Sequence, residues 1–172
     1  MTHPGGWRRT STDPVIAGYQ SQIDIAQRII KRCILGRLDI AAELIRREMD
    51  EPHRAFGLAL ALAEEAIKAA ATSREAAAAR GATWEPKLLD RTTGTHVTPA
   101  DNADTPAGIA VLMLDAVHRY TSGDQEATKA FTEVYERALL YGDRNTQVGF
   151  YQALTDYAVV AQRGDLELGH HT

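Results

Sequence analysis

The most apolar stretch of the chain is residues 52–71, PHRAFGLALALAEEAIKAAA. Alanine and leucine dominate it and no β-branched residue interrupts its first half, which favours a helix over a strand. Because two residues turn about 200° around a helix axis, Leu58, Leu60 and Leu62 would face different sides. The pattern therefore predicts an interior helix, with other helices packed around it.

The alanine-rich continuation of this stretch allows two interpretations. Thr72 and Glu75 have the spacing of a capping box that would open a second helix, and the alternative is one long helix ending at Gly81. Charged residues such as Glu64 and Lys68 interrupt the apolar run, which falls far short of the roughly 20 residues of a membrane span. We expect no association with a membrane.

Amphipathic stripes predict two helices before the central one. From Ile16 to Cys33, apolar residues recur at alternating spacings of three and four, which indicates a helix with one wide apolar face. Gly36 fits the position just after the end of that helix. A shorter helix follows over residues 39–49.

The C-terminal third predicts three more helices, because apolar stripes alternate there with Gly-Asp pairs. Thr105 and Pro106 mark the start of the first, and the pairs beginning at Gly123 and Gly142 separate it from the next two. The pair beginning at Gly164 is expected to end the last helix. Connections this short predict antiparallel neighbours.

Residues 81–106 are rich in Thr, Asp, Pro and Gly, which predicts a long irregular loop. The segments on either side of Thr93-Gly94 could pair as a small hairpin. Trp84 and the pair Leu88-Leu89 are expected to hold the loop against the bundle. A ligand site in the loop would use these side chains: Trp84, His96, Asp101 and Asp104.

The resulting fold prediction is an all-α bundle of six or seven helices with antiparallel αα-hairpins and one long irregular loop. Residues 1–12 are predicted to be a disordered N-terminal segment and residues 166–172 a flexible tail. Residues 13–165 form a single domain, and this length is enough to bury a core without disulfides.

Composition and charge place the chain among ordinary globular proteins. Of 172 residues, 44% are hydrophobic and 24% charged, and the net charge of −4 implies no bulk attraction to nucleic acid or anionic membranes. Cys33 is the single cysteine, which excludes an internal disulfide. The polar N-terminus lacks the apolar run of a signal peptide, so we expect a cytoplasmic protein. The excess of arginine over lysine and the abundant alanine are typical of a GC-rich bacterial coding sequence.

The sequence carries no catalytic motif, and we expect neither a metal nor a cofactor. Asp115 and His118 could offer two metal ligands from one helix face, but no second such pair completes a site. Cys33, or a loop threonine with His96, lacks the glycine-flanked turn and oxyanion hole of a nucleophilic enzyme.

Basic side chains accumulate on the first two predicted helices, which raises the alternative of a DNA-associated regulator. The residues concerned are Arg28, Lys31, Arg32, Arg37, Arg46 and Arg47. The following helix is too apolar to expose polar groups to base edges, as a recognition helix must. Nucleic acid is therefore not the expected partner.

The last two predicted helices carry most of the aromatic residues, on stripes broader than one packed face needs. These broad aromatic stripes predict an interface formed by Tyr135, Phe150, Tyr151 and Tyr157. The leading hypothesis is a small interaction or accessory protein without catalytic activity, which binds itself or another protein. The alternatives are the DNA-associated regulator and a small-ligand binder or enzyme that uses the 81–106 loop.

Overall fold

The computed structural model describes residues 14–85, 88–90, 95–97, 105–139 and 142–171. Within these ranges the chain forms six helices and one two-stranded hairpin, which confirms the predicted all-α bundle. The helices are α1 (Pro14–Ile34), α2 (Leu38–Met49), α3 (Pro52–Ala79), α4 (Pro106–Thr121), α5 (Ala127–Leu139) and α6 (Arg144–His171). The strands are β1 (Leu88–Asp90) and β2 (Thr95–Val97).

Helix α3 is the interior helix that its sequence predicts, and it continues unbroken through Thr72 to Ala79. The carboxylate of Glu51 begins it by accepting hydrogen bonds from the backbone N–H groups of His53 and Arg54. Along the first half of α3, buried residues occur on every side rather than on one stripe. Even so, neither α3 nor any other described helix is long and apolar enough to cross a membrane.

Helices α3 and α6 form a parallel pair at the centre of the bundle. The Tyr151 hydroxyl donates to the Ala55 carbonyl at 2.5 Å, and the Ser73 hydroxyl donates to the Ala161 carbonyl at 2.7 Å. Because these contacts follow the same order along both helices, the two helices run in the same direction. The small side chains of α3 let α6 approach closely enough for these bonds to form.

Helices α1 and α2, and likewise α4 and α5, are neighbours in sequence that pack against each other. Glycine ends α1 and α3 as predicted: Gly36 and Gly81 have φ angles of +79° and +72°. In each case the glycine N–H and the next N–H bond back to carbonyls of the final helical turn. This arrangement needs a left-handed residue, which glycine adopts without strain.

The predicted end of the last helix at Gly164 is wrong, because α6 continues to His171. A Cβ atom at Gly164 would lie 2.5 Å from Cζ2 of Trp84, so the glycine makes room for an indole ring in the middle of a helix. The predicted tail from residue 166 therefore begins inside α6. The predicted disordered segment, residues 1–12, lies outside the described residues.

The hairpin predicted inside the 81–106 segment is present as two short antiparallel strands. Leu88 pairs with Val97 and Asp90 with Thr95. Leu88 is 2% exposed and belongs to the hydrophobic core, so β1 fixes this segment to the bundle.

Candidate ligand-binding cleft

Helices α3, α4 and α6, together with β1 and the residues before it, enclose a cleft of about 390 Å³. Small-molecule sites in proteins typically occupy about 300–1,000 Å³. The cleft is lined by Ile67, Ala70, Arg74, Glu85, Leu88, Val111, Leu114, Asp115, His118 and Tyr157. Its size and concave shape make it the candidate functional site.

The floor of the cleft is apolar because two helices turn matching stripes towards it. Ile67 and Ala70 lie on one face of α3, and Val111 and Leu114 lie on the facing side of α4. In both helices the spacing of three residues keeps the side chains together on one face. Leu88 of β1 adds a further apolar wall.

The mouth of the cleft carries a paired charge between Arg74 of α3 and Glu85 of the segment before β1. Nε and Nη2 of Arg74 donate to the two carboxylate oxygens of Glu85, each at 2.8 Å. These bonds lower the pKa of Glu85 below its ordinary value. The side chains are 39% exposed for Arg74 and 66% exposed for Glu85, so the pair lies at the surface with the arginine on the inner side.

Trp84 fixes the position of Glu85 because its indole ring lies against the backbone of α6. The ring occupies the space that a side chain at Gly164 would take. Leu88, three residues after Glu85, is buried in the core. The chain is thus fixed on both sides of Glu85, and its carboxylate is held within reach of Arg74.

The remaining polar groups around the cleft come from α4 and α6. Burial raises the pKa of Tyr157, and the nearby Arg74 acts in the opposite direction. Asp115 pairs with Nε of Arg119 at 3.3 Å, one turn further along α4, and His118 is exposed beside it. Among the described residues, no group of three or more His, Cys, Asp or Glu side chains is placed to hold a metal ion.

The four loop residues predicted to bind a ligand have different positions in the structure. Trp84 does not line the cleft but supports it from behind, against Gly164. The backbone of His96 pairs with Leu89 in the hairpin. Asp101 and Asp104 lie outside the described residues, so their part in a site stays a prediction.

Two of the four residues of the predicted aromatic interface are buried in the core. Phe150 and Tyr151 have no exposed area, because α6 is surrounded by other helices, and they belong to the core instead. Tyr135 is half-buried with its ring edge-on to Phe56 at a centroid distance of 4.6 Å. Tyr157 is half-buried in the wall of the cleft.

The predicted basic surface is largely exposed. Its members lie on the last turns of α1, in the following turn and at the end of α2: Arg28, Lys31, Arg32, Arg37, Arg46 and Arg47. All are exposed except Arg32, which is partly buried, and Arg47 pairs with Glu43 at 3.5 Å. None of these six residues lines the cleft.

Sequence reasoning missed Arg74 and Glu85, the two residues that define the mouth of the cleft. They are separated by the end of α3 and belong to no recognisable motif. The one available signal was an arginine that continues the face of Ile67 and Ala70 at helical spacing. Comparison of the chain with protein-family models, with curated protein sequences and with solved structures finds no match. The site is therefore interpreted from its geometry.

Proposed function

We propose that the protein binds a small, mainly apolar molecule in the cleft between α3, α4, α6 and β1. The observation that carries this proposal is the combination of an apolar floor with one oriented ion pair, Arg74 and Glu85, at the mouth. A floor of this kind contributes affinity in proportion to the apolar area removed from water, about 25 cal/mol per Å². The few polar groups would orient the ligand.

Binding, and not catalysis, is the function that this arrangement supports. Both carboxylates of the cleft are paired with an arginine, Asp115 with Arg119 and Glu85 with Arg74. The small-ligand hypothesis from the sequence therefore becomes the leading one, and its site moves from the loop to the cleft between α3, α4, α6 and β1. The cytoplasmic location stays a prediction.

Blocking the cleft tests this proposal. Val111→Phe adds a ring from the α4 wall into the cleft, whereas Val160→Phe adds the same volume at an exposed position on α6. Amide NMR spectra of the full chain would be recorded with a set of small aromatic and aliphatic compounds. We expect compounds that shift signals of the cleft residues in the natural protein and in Val160→Phe, but not in Val111→Phe.

Two results would contradict binding in the cleft. One is that no compound shifts the signals of residues such as Ile67 and Leu114 at millimolar concentration. The other is that Val111→Phe binds the same compounds as the natural protein, which would locate their site elsewhere. Equal thermal midpoints for the two variants would exclude unfolding as the reason for lost binding.

A second candidate function is association with a second copy of the chain through the turn between α1 and α2. Leu35 and Leu38 are 58% and 56% exposed, more than any other large apolar side chain that the structure describes. Exposed apolar side chains that lie together often mark contact surfaces. This observation keeps the self-association hypothesis but moves its interface away from the C-terminal aromatic residues.

Mass in solution tests the second candidate. Light scattering after gel filtration would compare the natural protein with Leu35→Ser/Leu38→Ser over a range of concentrations. A multimer that the double substitution reduces to a monomer supports the interface, and a monomer in both proteins removes it. Binding of duplex DNA, measured at a series of salt concentrations, tests the basic surface, because phosphate contacts weaken steeply as salt rises.

A further inference from the structure

The Arg74 side chain presents a carboxylate-binding fork at the mouth of the cleft. Its Nε and Nη2 groups each lie 2.8 Å from an oxygen of Glu85, which is the bidentate geometry of a guanidinium with a carboxylate. The same two donors would fit the carboxylate of a small molecule equally well. Glu85 thus shows which chemical group this position accepts.

The pair is arranged so that the positive partner faces the interior. Arg74 is 39% exposed, whereas Glu85 is 66% exposed and approaches from the solvent side. Because water screens an ion pair this exposed, it holds only weakly. The Glu85 carboxylate can therefore leave Arg74 at little cost while Trp84 and Leu88 keep the backbone in place.

The second acidic group of the cleft has a basic partner of its own. Asp115 is paired with Arg119 on its own helix at 3.3 Å. Among the described lining residues, Arg74 is the one arginine or lysine. Once Glu85 has left, the inner charge at the mouth is positive, which selects an anionic ligand.

The apolar floor sets the length of the ligand. Ala70 and Ile67 lie one and two turns before Arg74 on the same face of α3. At 1.5 Å per residue, the floor extends about 10 Å from the guanidinium towards Ile67. A ligand with its charge at Arg74 would place an apolar body of about that length over the floor.

We propose that the ligand is an apolar carboxylic acid whose carboxylate binds Arg74, and that Glu85 occupies this position from within the chain until the acid replaces it. This inference rests on the proposed function, and it adds both a ligand class and a built-in competitor. The competitor sets a threshold: only an acid whose apolar body also fits the floor displaces Glu85.

Three probes with the same apolar body test the charge requirement: 4-phenylbutanoate, its neutral amide and the corresponding amine. Calorimetric titration of the full chain is expected to show the carboxylate binding about twofold to threefold more tightly than the amide, a small preference because the acid must displace the carboxylate of Glu85. The amine is expected to bind no better than the amide. An amine or amide that binds as tightly as the carboxylate would overturn the inference.

Glu85→Gln tests the internal competitor, and Glu75→Gln is its matched control. Both remove one negative charge, but Glu75 is exposed on α3 and does not line the cleft. Without its competitor the carboxylate should bind about fivefold more tightly, the factor that corresponds to about 1 kcal/mol. The amide should be unaffected, and Glu75→Gln should change neither affinity by more than about twofold in physiological salt.

Arg74→Lys tests the fork itself, because it keeps the charge and removes the planar pair of donors. We expect it to lose most of the preference for the carboxylate over the amide. In the natural protein, the NMR signal of Arg74 Nε–H should move on addition of the carboxylate and stay in place with the amide. If that signal stays in place with both, the carboxylate does not reach Arg74.

The outcomes separate this inference from the proposed function. If none of the probes binds the natural protein or Glu85→Gln, both fail. If the probes bind, are blocked by Val111→Phe and show no preference for the carboxylate, the cleft remains a binding site and the inference fails. If the carboxylate is preferred but Glu85→Gln does not bind it more tightly, the internal competitor is wrong.

Discussion

Both halves of α3 are rich in alanine, but residues 52–65 hold four alanines and three leucines, whereas residues 66–79 hold eight alanines and no leucine. In the first half, Leu58, Ala59, Ala61, Leu62 and Ala63 are all fully buried. In the second half, burial is confined to one stripe, formed by Ala66, Ala70, Ser73 and Ala77, while Ile67 and Arg74 face the cleft. The difference lies both in the helix, whose leucines all belong to the first half, and in what packs against each half. Small side chains let other helices approach α3 closely. Where those helices surround it, its residues belong to the core, and where they leave a gap, its residues line the cleft.

Truncation of an apolar side chain should affect the two halves differently, and this is the largest effect we expect. Leu62→Ala removes side-chain volume from a site with no exposure, so it should lower the free energy of unfolding by about 3 kcal/mol. Ile67→Ala only enlarges an open cleft and should lower it by about 1 kcal/mol. Urea unfolding followed by circular dichroism measures both values. Equal losses at the two positions would mean that the cleft is closed in solution.

Because Trp84 lies against Gly164, the substitution Gly164→Ala should change the free energy of unfolding in opposite directions with and without the Trp84 side chain. In the natural protein, Gly164→Ala forces a Cβ atom against the indole ring and should destabilise the fold by about 1–3 kcal/mol. In a Trp84→Ala background the same change should stabilise α6 by about 1 kcal/mol, because alanine favours helix more than glycine does.

This reversal also connects stability to the cleft, because Trp84 positions Glu85. We expect Gly164→Ala in the natural background to disturb the NMR signals of Glu85 and Arg74 as well. A Gly164→Ala change that stabilises both backgrounds equally would show that the ring does not lie against α6.

Much of the fold could be predicted from the sequence, because local patterns determine it. The interior position of residues 52–71 follows from leucines on several sides of one helix, and the end of α1 at Gly36 follows from the stripe before it. The end of the last helix was mispredicted for a physical reason. A glycine after an apolar stripe looks the same whether it ends a helix or makes room for a distant ring, and only the fold places Trp84 over Gly164.

The site was less predictable, since it combines residues that are close only in the folded chain. Asp115 and His118 were visible as a pair on one helix, but their position opposite Ile67 and Arg74 depends on how α3 and α4 pack. Tyr151 was assigned to an interface because its stripe is wide. A wide stripe can equally mean a helix that is covered on several sides, as α6 is.

Removing one hydroxyl tests how tightly the first half of α3 is packed against α6. Tyr151→Phe keeps the ring but deletes the hydroxyl, which donates to the Ala55 carbonyl and also hydrogen-bonds with the Tyr135 side chain, at a fully buried site. We expect a loss of about 1 kcal/mol in the free energy of unfolding, the usual net value of one hydrogen bond. Thr132→Val, which deletes a partly exposed hydroxyl on α5, is the control and should cost less. Equal losses would show that burial does not strengthen the Tyr151 bond.

The smallest effect that we expect concerns the Arg74–Glu85 pair, in the half of α3 that lines the cleft. It is also the one effect that depends on pH. Arg74 lowers the pKa of Glu85 in the folded protein, so this group stabilises the fold above its unfolded value of 4.5. That contribution is lost as the pH falls through the lower folded value.

Because the pair is exposed, Glu85→Gln should reduce the free energy of unfolding at pH 7 by no more than about 1 kcal/mol. At pH 3 or below, the difference between the two proteins should shrink further, and added salt should reduce it at pH 7. The carboxylates of Glu51 and Asp143, whose pKa values backbone N–H groups lower, are present in both proteins and cancel in the difference. The losses from Leu62→Ala and Tyr151→Phe involve no group that titrates in this range, so they should be the same at both pH values. A Glu85→Gln difference that does not shrink as the pH falls would mean that Arg74 does not hold this carboxylate, and the cleft would then have an open mouth.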